Sequence, residues 1–429
     1  MKPLNGLSVL WTILNTDSGN AEKRKQLKEN SIKTIGRGNR KMFNILTYNK
    51  ISEAGLRKLA PGKYRVADEV KDPDAILVRS APLNDMEFGP ALKVITRVGA
   101  GFNTIPVERC TASGICVFNT PGGNANAVKE LTVCGMIMVM RNVQQASRWV
   151  KELPAEEAKY GGMVESGKEM FRGPEIMGKK IGVIGVGAVG SRVAKACHDL
   201  GMEVLGYDPY LSHARVLELG SCVRFTENIE EIYESCDVIT VHTPLTDETR
   251  ELIGRSSIGK MKQGVYLLNY ARGPIVDNDA VCDAIGTGKI AGFATDFPTE
   301  RQMHMDRVVC TPHLASGSPE AEENCAVMAV RQTTEYLENG NILNSVNFPD
   351  VSFARAEGDR VTILHKNQVG MLGRITDIAA GQELNIENLV NKARGNIAYT
   401  ILDFNETVPE SLEEKISAIP GVIRVRLIR

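Results

Sequence analysis

The sequence predicts an α/β protein with two Rossmann-like lobes, each a doubly wound parallel sheet, followed by a C-terminal ferredoxin-like unit. Three observations carry that prediction. Short apolar runs alternate with helical stretches twice, over 43–120 and 178–312, and strands separated by helices imply parallel pairing. The second stretch holds six such strands, the count of a doubly wound sheet. The last 70 residues read β-α-β-β-α-β. A length of 429 residues suits two to four domains of this kind.

Composition narrows the possibilities. The chain is 43% hydrophobic and 24% charged, with 51 Lys/Arg against 52 Asp/Glu and a net charge of -1. Values so close to the globular average exclude disorder, collagen and coiled coil as global descriptions. A nucleic-acid partner calls for a basic footprint, and electrostatic docking to a membrane calls for the same. The longest apolar stretch, Leu131 to Met140, has ten residues, about half of a membrane span. Nine cysteines include no CxxC pair and lie mostly in apolar runs such as Val133-Cys134. They point to buried reduced thiols in a reducing, cytoplasmic setting, without a disulfide framework or a metal site. The charge is uneven, because residues 1–41 hold nine Lys/Arg and three Asp/Glu, a local +6, leaving 42 against 49, or -7, for the body.

Element by element, residues 1–41 are expected to form a poorly ordered extension with Met42 as a natural start; a targeting segment, weakened by Asp17, Glu22 and Glu29, is the alternative. Strands follow at Phe43–Leu46, Ala75–Val78, Lys93–Arg97 and Cys116–Asn119. One long helix is expected from Asn126 to Lys151, whose apolar positions run on without Pro or an interior Gly pair. The second lobe places strands at Lys180–Ile184, Glu203–Tyr207, Val238–His242, Val265–Asn269, Ile290–Thr295 and Val308–Cys310. A helix over 315–339 stops at Asn339-Gly340, and 342–359 reads as a linker with Pro349 and no apolar period. The terminal unit then runs strand 360–365, helix 371–380, strands 384–390 and 397–404, helix 409–418 and strand 422–428.

The chemistry concentrates in the second lobe. Gly185-Val186-Gly187-Ala188-Val189-Gly190 follows an apolar strand and opens a helix. The first glycine permits a tight turn, the second lets backbone approach a pyrophosphate, and the third lets helix and strand pack closely. The helix start adds free N–H groups and a positive dipole. Asp208 lies 18 residues beyond Gly190 at the tip of the next strand, where a carboxylate accepts from a ribose 2′-OH and repels a 2′-phosphate, selecting NAD over NADP.

Six histidines are available for proton transfer. His198 and His213 lie on polar helical faces, and His242, before Thr243-Pro244, suits the edge of the cofactor cleft. His313 ends the sixth strand, on the side where ligands bind in such sheets, and is the best base. Arg272 follows the Val265–Asn269 strand with a planar fork suited to a carboxylate. Glu300 follows the fifth strand and is expected to hydrogen-bond the imidazole. Taken singly, these three fit a packed histidine, a surface ion pair and a solvated loop charge equally well. Together at one sheet edge beside NAD, they describe hydride transfer at C2 of a 2-hydroxy acid.

Over 43–429 the chain resembles the D-2-hydroxyacid dehydrogenase family, and within it the branch acting on 3-phosphoglycerate. The resemblance rests on Val78-Arg79-Ser80, Arg97-Val98-Gly99-Ala100-Gly101, Phe118-Asn119-Thr120-Pro121 with Asn124, the glycine fingerprint, His242-Thr243-Pro244-Leu245-Thr246, Asn269 to Gly273, and Pro312-His313. It implies Arg272, Glu300 and His313 as the catalytic set, with Arg79, Ser80, Arg97 and Asn124 contacting substrate. It implies that Gly185, Gly187, Ala188, Val189, Gly190, Asp208, His242, Thr243, Pro244, Ala271, Arg272, Asp296 and His313 line the cofactor. The family aspartate that faces the nicotinamide stands five residues before the glutamate. Thr295 holds that spacing here, and a one-residue deletion would restore Asp296 to the role. After His313 the chain reads Leu-Ala-Ser-Gly-Ser where the family has Ile-Gly-x-Ser-Thr.

In that fold a discontinuous substrate domain (42–125 and 314–341) embraces an NAD domain (126–313). The linker 342–359 leads to residues 360–429, which resemble an ACT regulatory domain. Its serine-binding positions fall on His365, Asn367 and Asn385, with Val369 in place of the usual proline before Gly370. The resemblance implies the first oxidation of serine synthesis, feedback inhibition by serine, and a homodimer or homotetramer. A glyoxylate/hydroxypyruvate or D-lactate reductase, and an NAD-sensing regulatory binding protein on the same fold, remain alternatives.

Overall fold

The computed structural model describes residues 42–153 and 160–429, so the basic extension lies outside the described residues. Among the described residues no helix is long and apolar enough to cross a membrane.

The first lobe is a five-stranded parallel sheet of β1 (Phe43–Tyr48), β2 (Tyr64–Ala67), β3 (Ala75–Val78), β4 (Val94–Arg97) and β5 (Cys116–Phe118), in the order β2-β1-β3-β4-β5. The fully buried β3, Ala-Ile-Leu-Val, is the continuous apolar run expected of a parallel strand covered on both faces. Strand β2 was not anticipated. It is a half-exposed edge strand without an apolar run. The carboxyl ends of β3 and β4 lead directly into Arg79 and end on Arg97.

The second lobe has seven parallel strands where six were expected. They are β6 (Lys180–Ile184), β7 (Glu203–Tyr207), β8 (Arg224–Phe225), β9 (Val238–Val241), β10 (Val265–Asn269), β11 (Ile290–Thr295) and β12 (Val308–Cys310), in the order β12-β11-β10-β9-β6-β7-β8. The added β8 is a two-residue edge strand. Strand order reverses between β6 and β9, which opens a crevice at their carboxyl ends.

The expected long helix is two helices, Ala125–Met140 and Val143–Glu152. Asn142 between them adopts a left-handed φ of 50°, a conformation asparagine tolerates. Its amide donates to the carbonyls of Phe171 (3.4 Å) and Arg172 (3.3 Å). The first helix buries Val128, Met136, Val139 and Met140 against the second sheet, whereas the second buries no residue. All nine cysteines are free; six are buried, but Cys134 is exposed on the first of these helices.

Helix Pro319–Asn339 returns to the first lobe. Ser318 Oγ caps it by accepting from Ala321 N (3.1 Å), and Gly340 ends it with a φ of 70°. Cys325, Ala326, Ala329, Val330, Tyr336 and Leu337 face the core of the first lobe, and Thr333 bonds Thr96 across it (2.7 Å). Residues 342–351 are packed in place. Ser345 Oγ donates to the Val117 carbonyl (3.1 Å), and Ile342, Phe348 and Val351 are buried.

The terminal unit is an antiparallel sheet of β13 (Arg360–Lys366), β14 (Ile386–Arg394), β15 (Ile397–Phe404) and β16 (Val422–Ile428), ordered β14-β15-β13-β16, with helices Met371–Ala380 and Glu410–Ser417. Its Leu364, Ile397, Tyr399 and Ile401 share a core with Phe118, Tyr336 and Phe348 of the first lobe. Arg360 and Asp403, 0% and 1% exposed, form a forked pair with Nε–Oδ1 at 2.6 Å and Nη2–Oδ2 at 2.9 Å. Arg360 Nη1 also donates to the Asn339 carbonyl (2.8 Å).

Removing one member of such a pair leaves an uncompensated buried charge. Arg360→Met is expected to lower stability by about 3–5 kcal/mol, read as a fall in the urea midpoint; an unchanged midpoint would contradict this account of the joint.

Candidate active site

The glycine turn has the geometry a pyrophosphate requires. Gly185 has a φ of 88°, and a β-carbon there would lie 2.8 Å from the His242 carbonyl carbon. A β-carbon on Gly190 would meet the Gly185 carbonyl oxygen at 1.9 Å, while above Gly187 there is open space. Helix Gly190–Asp199 begins at this point, behind Val189 as its N-cap. Ala188 meets the first lobe at Gly122, whose β-carbon would stand 3.1 Å from its own.

The Asp208 carboxylate is pinned at the tip of β7, accepting from Val186 N and Tyr210 N, each at 2.9 Å. The Thr243 hydroxyl is buried at the same crevice without a hydrogen-bond partner among the described residues. Open space above Gly187, a fixed carboxylate and an unpaired hydroxyl fit a dinucleotide. Pro244 continues the lip, its carbonyl accepting from Thr249 Oγ1 (2.6 Å). His242 shares a hydrogen bond with Thr240 (2.9 Å), and burial pushes its pKa down to about 3. It is therefore neutral near pH 7 and no proton donor.

Opposite this crevice, three guanidiniums converge. Burial lowers the pKa of Arg97, and the charges of Arg79 and Arg272 lower it further, against the opposing influence of Cys325. Burial likewise lowers that of Arg272. The side chain of Arg97 bonds the Val98 carbonyl, and that of Arg272 the Ala271 carbonyl (2.7 Å). Among the described residues neither has a carboxylate partner. Buried charges are ordinarily paired, so two bare cations in a cleft mark an anion site. Arg79 is paired with Glu322. Ser80 N–H donates to Asn49 Oδ1 (2.9 Å), which shapes the turn after β3. Asn124 starts helix Ala125–Met140 without a side-chain capping bond. Gly101 brings the first lobe to Arg272, since a β-carbon there would lie 3.3 Å from Nη2.

His313 is exposed, holds a φ of 52°, and tilts its ring over Phe297 with centroids 4.8 Å apart. The expected bond from Glu300 is not formed. Glu300 heads the short helix Glu300–Met303 behind Thr299, and its exposed side chain makes no hydrogen bond to the imidazole. Glu300 stands four residues after Asp296, and the Thr299 N–H to Gln302 Oε1 bond (2.9 Å) starts the helix at that point.

Asp296 grips the histidine loop instead. Its Oδ1 accepts from Thr311 Oγ1 (2.6 Å) and Leu314 N (2.7 Å), its Oδ2 from Ala315 N (2.8 Å), and its carbonyl from His313 N (3.0 Å). Thr295 is turned inward, with Oγ1 accepting from Phe297 N (3.1 Å). The latch was missed because three of its four donors are main-chain N–H groups, which no residue type marks.

In the terminal unit, His365 is buried in the sheet rather than open to a ligand. Its Nδ1 donates to the Lys366 carbonyl (2.9 Å), and its Nε2 shares a bond with Thr400 (2.8 Å). Central strand β13 turns this residue inward. Asn367 and Asn385 are exposed, and Asn367 Nδ2 donates to the Gly395 carbonyl (3.2 Å).

Comparison with known proteins agrees with this geometry. A family model described as D-isomer specific 2-hydroxyacid dehydrogenase, NAD binding domain, matches residues 133–315. A D-3-phosphoglycerate dehydrogenase of Haemophilus influenzae is 32% identical over 376 residues, 84% of this chain and 88% of that protein. One from Archaeoglobus fulgidus is 39% identical over 304 residues, 68% of this chain and 55% of that protein. The NAD+-bound 3-phosphoglycerate dehydrogenase of Entamoeba histolytica shares 26% identity and a TM-score of 0.57, over 72% of this chain and 99% of that one. An NAD-binding second lobe, a cleft of three arginines and kinship over most of the chain make this protein a member of the D-isomer specific 2-hydroxyacid dehydrogenase family, in its D-3-phosphoglycerate dehydrogenase branch.

Proposed function

We propose that the chain oxidises 3-phospho-D-glycerate at C2 to 3-phosphohydroxypyruvate with NAD, the first oxidation toward L-serine. The observation that carries this reading is the cluster of Arg79, Arg97 and Arg272, of which only Arg79 has a carboxylate partner among the described residues. A substrate with a carboxylate and a phosphate dianion offers an anion to both bare cations and to Arg79, whereas lactate or glyoxylate on Arg272 would leave Arg97 unmatched.

Residues Gly185 to Gly190, Asp208, Thr243 and Pro244 would hold the cofactor, which when bound accepts hydride from C2. His313 takes the hydroxyl proton, and the carboxylate lies on Arg272. Arg79 and Arg97 take the phosphate, with Ser80 and Asn124 at the rim. Asp296 and Phe297 keep the imidazole in position, and His242 stays neutral beside the cofactor.

The regulatory reading assigns residues 360–429 to serine, through the exposed Asn367 and Asn385. Self-association is supported by an open apolar groove of Val143, Ala146 and Val150, on a helix that buries no residue, beside Ile137 of the helix before it. A mass of one chain by light scattering would overturn it.

NADH formation should be seen with 3-phosphoglycerate and be far slower with D-lactate or D-glycerate; the reverse order refutes the substrate. Asparagine tolerates a left-handed φ, so His313→Asn should fold normally and lose about 10²–10⁴ in kcat, whereas full activity would remove His313 from the reaction. Asp208→Ala should raise KM for NAD and narrow its advantage over NADP, and an unchanged cofactor ratio would displace that carboxylate from the ribose. Serine should slow the parent enzyme but not Asn367→Ala, and a serine titration without effect on the parent ends the regulatory reading.

A further inference from the structure

Arg79 differs from the other two guanidiniums in having a partner. Glu322 Oε1 accepts a hydrogen bond from Arg79 Nη2, and each side chain is 42% exposed. The glutamate is fixed in the first turns of helix Pro319–Asn339, its N–H donating to the Ser318 carbonyl (3.1 Å). The Cys325 thiol, three residues on, feels the charges of Arg97, Arg79 and Glu322, so the ion pair and Arg97 occupy one small volume. A phosphate that reaches Arg79 must therefore displace Glu322 or stand beside it. Two like charges about 4 Å apart near a surface repel appreciably.

We propose that Glu322 is a specificity residue, a resident rival anion on Arg79 that a phosphate dianion displaces and a singly charged acid does not. The inference rests on assigning the phosphate to Arg79. A dianion brings two charges and three acceptor oxygens against one carboxylate, and wins the guanidinium. A hydroxy acid without phosphate places its single carboxylate on Arg272 and leaves the Arg79–Glu322 pair closed. The same competition helps the phosphorylated product leave, because Glu322 is at hand to retake Arg79.

Glu322→Gln removes the charge and keeps the length of the side chain. KM for 3-phosphoglycerate should fall about twofold to fivefold, with kcat changed by less than that, while KM for D-glycerate stays where it was. The inhibition constant of inorganic phosphate should fall in parallel. In an Arg79→Gln background the same change should have no effect. An unchanged KM for the phosphorylated acid, an equal fall for both acids, or persistence of the effect without Arg79 overturns the proposal. If 3-phosphoglycerate is not oxidised at all, the functional reading fails instead. Calorimetric titration of the NAD-loaded enzyme with inorganic phosphate then decides: tighter binding in Glu322→Gln upholds the rival anion, and equal binding removes it.

Discussion

A helix leaves its last carbonyls short of main-chain partners, and at the end of Pro319–Asn339 the terminal unit and the segment leading into it supply side-chain donors to five in a row. Arg426 donates to the carbonyls of Tyr336 (3.0 Å) and Leu337 (2.8 Å), Arg355 to Glu338 (3.3 Å), Arg360 to Asn339 (2.8 Å), and Tyr399 to Gly340 (2.6 Å). Cations at a helix C-terminus also complement its dipole. The unit is thus the cap of the helix and part of the same core, rather than an appendage on a tether. At about 1.5 Å per residue the helix spans roughly 31 Å, and its other end presents Glu322 and Cys325 to the arginine cleft. The terminal sheet is thus bonded directly to the helix whose first turns hold the partner of Arg79.

The charge distribution follows the same economy of place. A body of net -7 that binds an anionic substrate and an anionic cofactor cannot attract them by its overall field. The local positive charge lies in three guanidiniums at the ends of β3, β4 and β10 and in a helix start at the glycine turn, where the proposed reading puts substrate and cofactor. The cleft is where backbone from both lobes comes close, at Gly101 against Arg272 and at Gly122 against Ala188.

Much of this was legible in the residues. Buried parallel strands announce themselves as apolar runs, so β3, β6, β9, β10 and β11 fall where expected, and the glycine turn carries its mechanism in its spacing. The edges do not announce themselves. Strands β2 and β8 are short and half-exposed, and their pairing is decided by main-chain bonds to a neighbour. The break at Asn142 depends on carbonyls 29 and 30 residues away, which no local periodicity records. Residues 342–351 lack a period because they follow the rim of a sheet rather than a helix or strand face. In the site, the types and positions of Arg79, Arg97, Arg272 and His313 were readable. Their partners Glu322 and Phe297 were not, and Asp296 was read as facing the nicotinamide rather than holding the histidine loop, since a partner is a fact of tertiary contact. The inward turn of His365 was hidden for the same reason.

The left-handed backbone of His313 bears on how this protein can change. A side chain with a β-carbon is held there at a cost of order 1 kcal/mol or more, and the four bonds from Asp296 to residues 311–315 oppose that strain. Selection for stability alone would favour glycine or asparagine at this position, and either would relieve the backbone while removing the imidazole. The most accessible stabilising substitutions in this loop are therefore those that remove the group proposed above as the base. On that proposed role, a single step would lead a lineage that no longer needed the reaction to a sturdier, silent dinucleotide-binding protein.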